Sequence, residues 1–173
     1  VDTDSLIFKY DPLINHFDNI PTTRGQWSYV IGVDVGHDDA DAIAVIGWNE
    51  YDTRAYLIEE IIKTKQGVTE LADALDALVL TYKPLKIVMD TGGLGKKIAA
   101  EITRRRAIAV APAEKSRKME FTELLNDAMR TARFFAKKTS AFAQDCFLVE
   151  RDDDKTTVDK IVVSDRYHSD IGD

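Results

Sequence analysis

Two carboxylates in this sequence stand where a buried strand would not carry them without a reason. Asp34 interrupts the apolar, β-branched run Tyr29-Val30-Ile31-Gly32-Val33-Asp34-Val35-Gly36, and Asp90 ends a second such run, Ile87-Val88-Met89-Asp90-Thr91-Gly92-Gly93. An ionised carboxylate inside an apolar strand costs several kcal/mol unless a cation or a donor meets it. The glycine that follows each one lets another group approach the backbone closely. Two such carboxylates in one crevice repel each other unless a divalent cation lies between them. Hard oxygen ligands select Mg²⁺ or Mn²⁺ over zinc, and the three histidines and one cysteine are too scattered for a zinc site. For either aspartate taken alone, capping the turn after its strand is the competing reading. A third acidic group closes the sequence in Tyr167-His168-Ser169-Asp170-Ile171-Gly172-Asp173. On a helix Asp170 and Asp173 would share a face, although acid in a first helical turn is also favoured by the macrodipole. No arrangement for a side-chain nucleophile is visible: there is no G-x-S-x-G, and no motif histidine near Cys146.

The elements that must position these residues follow from periodicity. Three apolar, β-rich segments, 29–35, 41–48 and 54–62, are joined by the short polar links 36–40 and 49–53. Links this short require antiparallel neighbours, because parallel strands need a crossover of a dozen or more residues. Val68, Leu71, Ala72, Leu75, Leu78, Val79 and Tyr82 then fall at helical spacing ahead of Pro84. A short strand over 86–90, a helix over 94–104, a strand over 107–111 and a long helix over 119–138 complete the pattern. Segments 147–150 and 157–163 flank the acidic turn 151–155 and read as an appended β-hairpin. The expectation is an α/β fold: a mixed five-stranded sheet, three antiparallel strands followed by alternating helix and strand, with helices on both faces. Strands 29–35 and 86–90 are neighbours in a sheet of this order, so Asp34 and Asp90 would meet at a strand end, where α/β sheets place their ligands.

Composition bounds the rest. The chain has 173 residues, 45% of them hydrophobic, enough for one domain with a sizeable core. Residues 1–28 have little periodicity and read as an arm or linker, with a short helical piece near Pro12–Phe17 and packing through Trp27 or Phe17. The lone Cys146 excludes an internal disulfide and reads as a buried, inert thiol. No signal-like segment and no stretch of membrane-spanning length is present, so a soluble, cytoplasmic domain without membrane contact is expected.

The ordered set Ile31-Gly32-Val33-Asp34-Val35-Gly36, Val88-Met89-Asp90-Thr91-Gly92-Gly93 and His168-Ser169-Asp170-Ile171-Gly172-Asp173 resembles the nuclease domain of viral terminase large subunits. Those belong to the ribonuclease H-like superfamily, alongside the Holliday junction resolvases. The resemblance spans roughly residue 29 to the end, giving 1–28 as an arm and 29–173 as the nuclease domain. It implies metal-dependent hydrolysis of double-stranded DNA during viral genome packaging. Asp34, Asp90 and Asp170 then match the catalytic, metal-binding acids, with Asp34 bridging two Mg²⁺ or Mn²⁺ ions. Asp173 falls where resolvase-like members carry a further acid, and His168 lies beside the site. The implied partners are DNA, a packaging ATPase domain of the same full-length chain, the portal and the small terminase subunit, and the setting is the cytoplasm of an infected host. Two departures are visible. Residues 1–173 contain neither the helix that fixes the third acid in the family nor its packaging ATPase domain, and the linker-like first 28 residues lead one to expect that the chain was cut from something longer.

A polyanionic substrate needs positive charge on a chain of net charge −7. Between Gly93 and Met119 eight basic residues face only Glu101 and Glu114, whereas the last 29 residues carry a net −5. That asymmetry reads as a basic groove beside an acidic metal site. Lys115 and Lys118 are the foremost phosphate contacts, with Arg117, Lys96 and Lys97 behind them. Arg104–Arg106 have a competing role as favourable charge at a helix C-terminus. His37 and Asp38 sit in the loop after the first strand, close enough to serve the site, or simply form a polar turn. Gly92-Gly93-Leu94-Gly95-Lys96-Lys97 fails the phosphate-loop spacing at both ends. Three alternatives stay open: a resolvase-like nuclease, a fragment of an actin-like or sugar-kinase ATPase, and a nuclease fold that has lost catalysis and serves as a docking platform.

Overall fold

The computed structural model describes residues 8–36, 40–64, 67–89, 94–106, 108, 110–113 and 118–146. Three strands open the domain: β1 (Trp27–Asp34), β2 (Ala40–Asn49) and β3 (Ala55–Thr64). They pair as an antiparallel meander, Asp34 opposite Ala42 and Ile43 opposite Ile61. A bulge at Ile58 breaks the second register, since Val45 pairs with Glu59 but Ile46 pairs with Leu57. Helix α2 (Val68–Tyr82) ends on Lys83 in the left-handed conformation, φ 49°, whose N–H returns to Val79 O. Strand β4 (Lys86–Met89) then lies parallel to β1, with Val33 opposite Met89. Helix α3 (Leu94–Arg105) leads to β5 (Val110–Pro112), an edge strand where the missing N–H of proline is tolerated.

Among the described residues the sheet has six strands, in the order β5-β4-β1-β2-β3-β6, where five were expected. The sixth comes from the region expected as one long helix over 119–138. Helix α4 covers Lys118–Arg130, and Phe134–Phe135 form β6, parallel to β3. The helix stops because Ala132 adopts φ 55°, with Arg133 N–H donating to Ala128 O and Ala132 N–H to Met129 O. These are the two bonds of a Schellman C-cap, built on a residue with a Cβ. The left-handed conformation costs a non-glycine residue about 1–2 kcal/mol. Ala132→Gly is therefore expected to stabilise the fold by about 0.5–1 kcal/mol, read as a higher urea midpoint at unchanged slope.

Alternation along β2 explains the two layers. Ala42, Ala44 and Ile46 face one side and pack on Phe121, Leu125 and Met129 of α4 and on Phe142 of α5 (Ala141–Cys146). Ile43 and Val45 face the other side, with Ile31, Val33, Ile87 and Met89, under Leu71 and Leu75 of α2 and Ile98 and Ile102 of α3. The small residues let α4 approach closely, and the β-branched ones fill the face under α2 and α3. Cys146 is fully buried, as expected.

The segment expected as an arm contributes to the first layer. Phe8 and Tyr10 are buried in it, and the Tyr10 hydroxyl donates to Ala136 O at 2.6 Å. After the four-residue helix α1 (Pro12–Asn15), the buried Asn15 Nδ2 donates to Met129 O and Phe134 O at 2.7 and 3.1 Å. The predicted anchors contribute as well, Phe17 and Trp27 both packing on Tyr56. The appended hairpin predicted over 147–163 lies outside the described residues.

Candidate metal centre

Asp34 is the last residue of β1, half-buried, not an interior residue of the strand as its run of neighbours implied. A strand end meets water, so the cost of ionising a carboxylate there is lower than in the strand interior. Its register partner is Ala42, and directly paired residues point to the same face. Asp34 therefore belongs to the α4 and α5 side of the sheet. Strand β4 lies on the opposite flank of β1 from β2, and its last residue, Met89, sits opposite Val33. Strand β4 thus ends at Met89 beside β1, at the same end of the sheet as Asp34.

Of the predicted acids, Asp34 is described, while Asp90, Asp170 and Asp173 lie outside the described residues. So do His37, Asp38, His168, Lys115 and Arg117; Lys118 is described only as the first residue of α4. Among the described residues no three His, Cys, Asp or Glu side chains cluster as a metal site. The donor chemistry that is described, a carboxylate at an open strand end, fits a hard divalent cation.

Lys96 and Lys97 are both exposed in the first turn of α3, which begins four residues beyond position 90. Cations at a helix N-terminus oppose its dipole, typically at about 0.3–1 kcal/mol each. The three consecutive arginines at the other end of α3 behave differently. Arg104 and Arg105 both bind Glu101, at 2.5 and 2.9 Å, and Arg105 also reaches Asp73 of α2 at 2.6 Å. Arg106 binds Asp76 of α2 at 2.5 Å. Hydrogen bonds from Arg104 and Arg105 hold the Glu101 carboxyl down at about 2, and Arg106 lowers that of Asp76. These arginines clasp α3 onto α2, so much of the positive charge counted in this stretch is already paired.

Three buried or half-buried polar groups were not legible in the sequence. Asp41, at the start of β2, is 4% exposed, and its carboxylate accepts the Gly36 N–H at 3.0 Å. Burial raises its pKa, and the Gly36 bond acts the other way. A charged residue leading an apolar strand is the signal that could have found it. Glu59 and Glu60 face opposite sides as alternation requires, and both are half-buried. Glu59 accepts from the Tyr82 hydroxyl at 2.5 Å, and Glu60 accepts from Ala141 and Phe142 N–H at the start of α5, at 2.9 and 3.0 Å.

No family model matches this sequence, and no curated protein matches it. Solved structures do. The fold is that of the large terminase nuclease domains, the ribonuclease H-like architecture expected from the sequence. The chain superposes on the P22 large terminase nuclease domain with a TM-score of 0.70 at 16% identity, covering 96% of this chain and 92% of that one. The nuclease of the phage G20c large terminase gives a TM-score of 0.67 at 16% identity, covering 96% and 95%. The SPP1 large terminase nuclease domain, solved with bound Mn, gives 0.57 at 16% identity over 75% and 73%. The chain spans 46% of the large terminase of a thermophilic bacteriophage, at a TM-score of 0.69.

Proposed function

We propose that this chain is a metal-dependent endonuclease that cleaves double-stranded DNA during viral genome packaging. The observation that carries the reading is the strand end at which Asp34 sits: β4 runs parallel beside β1, with its last residue, Met89, opposite Val33, the residue before Asp34. Val33 and Met89 are paired and face one side of the sheet, and the reading requires the Asp90 carboxylate to lie on the other side, with Asp34. Asp34, Asp90 and Asp170 are proposed as the metal ligands, with Asp173 as a further acid. His37, Asp38 and His168 are assigned to its rim. When bound, a pair of Mg²⁺ or Mn²⁺ ions supplies an activated water and charge neutralisation for an in-line displacement at phosphorus. The chain's own contribution is placement: a carboxylate at a rigid strand end, and exposed Lys96 and Lys97 in the next helix to hold the phosphate backbone. Lys115 and Arg117 precede α4 in the sequence and Lys118 is its first residue; the layer of α4 is the one Asp34 faces, and all three are assigned to the same DNA path.

The bound Mn of the SPP1 domain supports the choice of cation. Structures of the thermophilic phage large terminase with ADP and with ATP-gamma-S support association with a packaging ATPase domain. The portal and the small terminase subunit follow from the resemblance alone, as does the cytoplasm of an infected cell. Among the described residues no helix is long and apolar enough to cross a membrane.

The reading is tested by nicking of supercoiled plasmid in Mn²⁺ or Mg²⁺, with and without EDTA. Metal-dependent nicking supports it, and ATP hydrolysis without nicking overturns it in favour of an actin-like or sugar-kinase fragment. Replacing both Lys96 and Lys97 by Gln separates function from stability. Relief of the dipole conflict should leave the melting temperature unchanged or higher. The logarithmic salt dependence of duplex DNA binding should become shallower by about 1–2 units. An unchanged salt slope would remove both lysines from the DNA path.

A further inference from the structure

The site reading makes no use of Asp41, yet among the described residues its carboxylate is the buried acid nearest to Asp34 along the β1–β2 hairpin. It lies at the start of β2, beside Ala42, the register partner of Asp34. Its side chain belongs to the opposite face from that of Asp34, by alternation, and is enclosed there at 4% exposure. Asp41 therefore does not share a ligand shell with Asp34. Among the described residues its carboxylate makes one hydrogen bond, accepting the Gly36 N–H. Burying a carboxylate for a single neutral donor costs more than the bond returns. A threonine or asparagine could accept the same N–H at lower cost. Among the described residues nothing in its bonding calls for a carboxylate rather than a neutral acceptor, and its location offers an alternative.

Gly36 is the second residue past Asp34, where the chain has left β1 and has not yet entered the turn. The ladder of β1 and β2 ends with the pair Asp34–Ala42. Beyond that pair, the bond from Gly36 to Asp41 is a side-chain rung that carries the closed hairpin past the last backbone rung. It restrains the backbone just past Asp34, at Val35 and Gly36. We propose that Asp41 is a positioning residue of the candidate metal centre: by pinning Gly36 it holds Asp34 in the orientation that receives the cation. The inference rests on the metal-centre reading of Asp34, and the test separates the two.

Four forms of the 173-residue chain are compared: the parent, Asp34→Asn, Asp41→Ala and Asp41→Asn. Two quantities are read, the hydrogen-exchange protection of the Gly36 amide without metal, and Mn²⁺ affinity from the free-ion electron paramagnetic resonance signal. Asp41→Ala should lose Gly36 protection by tenfold or more and weaken Mn²⁺ binding by about tenfold, the range seen when a partner orienting a metal ligand is removed. Asp41→Asn keeps an acceptor oxygen, and should retain Gly36 protection and Mn²⁺ affinity within about threefold of the parent. Parent affinity in Asp41→Ala would overturn the assignment. So would equal losses in Asn and Ala, which would mean that Asp41 acts through its charge. Should Asp41→Ala fail to fold, Asp41→Asn alone decides: retention supports positioning, and loss of Mn²⁺ binding with Gly36 still protected refutes it. Failure of the metal-centre reading has its own signature, Asp34→Asn binding Mn²⁺ as the parent does. In that case the assignment falls with it, whatever Gly36 shows.

Discussion

Asp34→Asn is expected to reduce metal-dependent plasmid cleavage by about a thousandfold or more while leaving the fold intact. A divalent ion contributes several kcal/mol of transition-state stabilisation, and each ~1.4 kcal/mol is a factor of ten in rate. Asparagine keeps the shape of the side chain at the end of β1 but removes the charge, so a hard cation loses an anionic oxygen ligand. Stability should move the other way. Without metal, the carboxylates assigned to this site repel one another, and neutralising one relieves that repulsion. The melting temperature of Asp34→Asn in EDTA should therefore equal or exceed that of the parent. Added Mn²⁺ should raise the melting temperature of the parent by mass action on the folded state and have a much smaller effect on the variant. A variant that cleaves normally would exclude Asp34 from the chemistry. One that melts far below the parent in EDTA would make its role structural.

The second large effect is on folding and lies far from the site. Asn15 is fully buried and is tied on every side: its Nδ2 donates to Met129 O and Phe134 O, its Oδ1 accepts the Asp11 N–H at 2.9 Å, and its own carbonyl accepts the Ala136 N–H at 2.9 Å. One side chain thus joins the N-terminal segment to the end of α4 and to β6. Asn15→Ala removes one donor from Met129 O, which keeps the Ala132 N–H, removes the donor to Phe134 O and takes the acceptor from the Asp11 N–H. A buried group left unsatisfied costs about 1–3 kcal/mol, and the substitution also opens a small cavity. A loss of about 2–4 kcal/mol is expected in urea unfolding, a large share of the stability of an ordinary domain. Asn15→Asp should be at least as damaging, because it places a carboxylate against two carbonyl oxygens. A loss below about 0.5 kcal/mol, the size expected of a surface substitution, would mean that residues 8–15 are dispensable to the domain.

What the sequence revealed and what it hid divide along physical lines. The opening meander was legible because links such as 36–40 and 49–53 are too short to permit anything but antiparallel pairing. Helix α2 was legible from an apolar stripe that stops at Pro84. Strand β6 was not, because it is two residues long and follows a C-cap on Ala132, where no glycine marks the turn. Phe8, Tyr10 and Asn15 gave no periodic signal, since α1 is a single turn and its stability comes from contacts with residues more than a hundred positions away. Within the site, the motif aspartates stood out because charge is conspicuous in an apolar run. Asp41 did not, because it opens its strand and looks like part of the preceding polar loop. The pairing of Arg104–Arg106 with Glu101, Asp73 and Asp76 was only half visible: Glu101 is local, but the α2 partners are some thirty residues away in sequence.

The proposed function requires Asp34, Asp90 and Asp170, remote in sequence, to share one cation cluster. The most direct measurement is the anomalous scattering of crystals of this chain soaked in Mn²⁺. The predicted result is manganese density at the C-terminal ends of β1 and β4, coordinated by Asp34, Asp90 and Asp170. Manganese bound elsewhere, or the Asp34 and Asp90 side chains on opposite faces of the sheet, would contradict the cutting mechanism and leave only the fold.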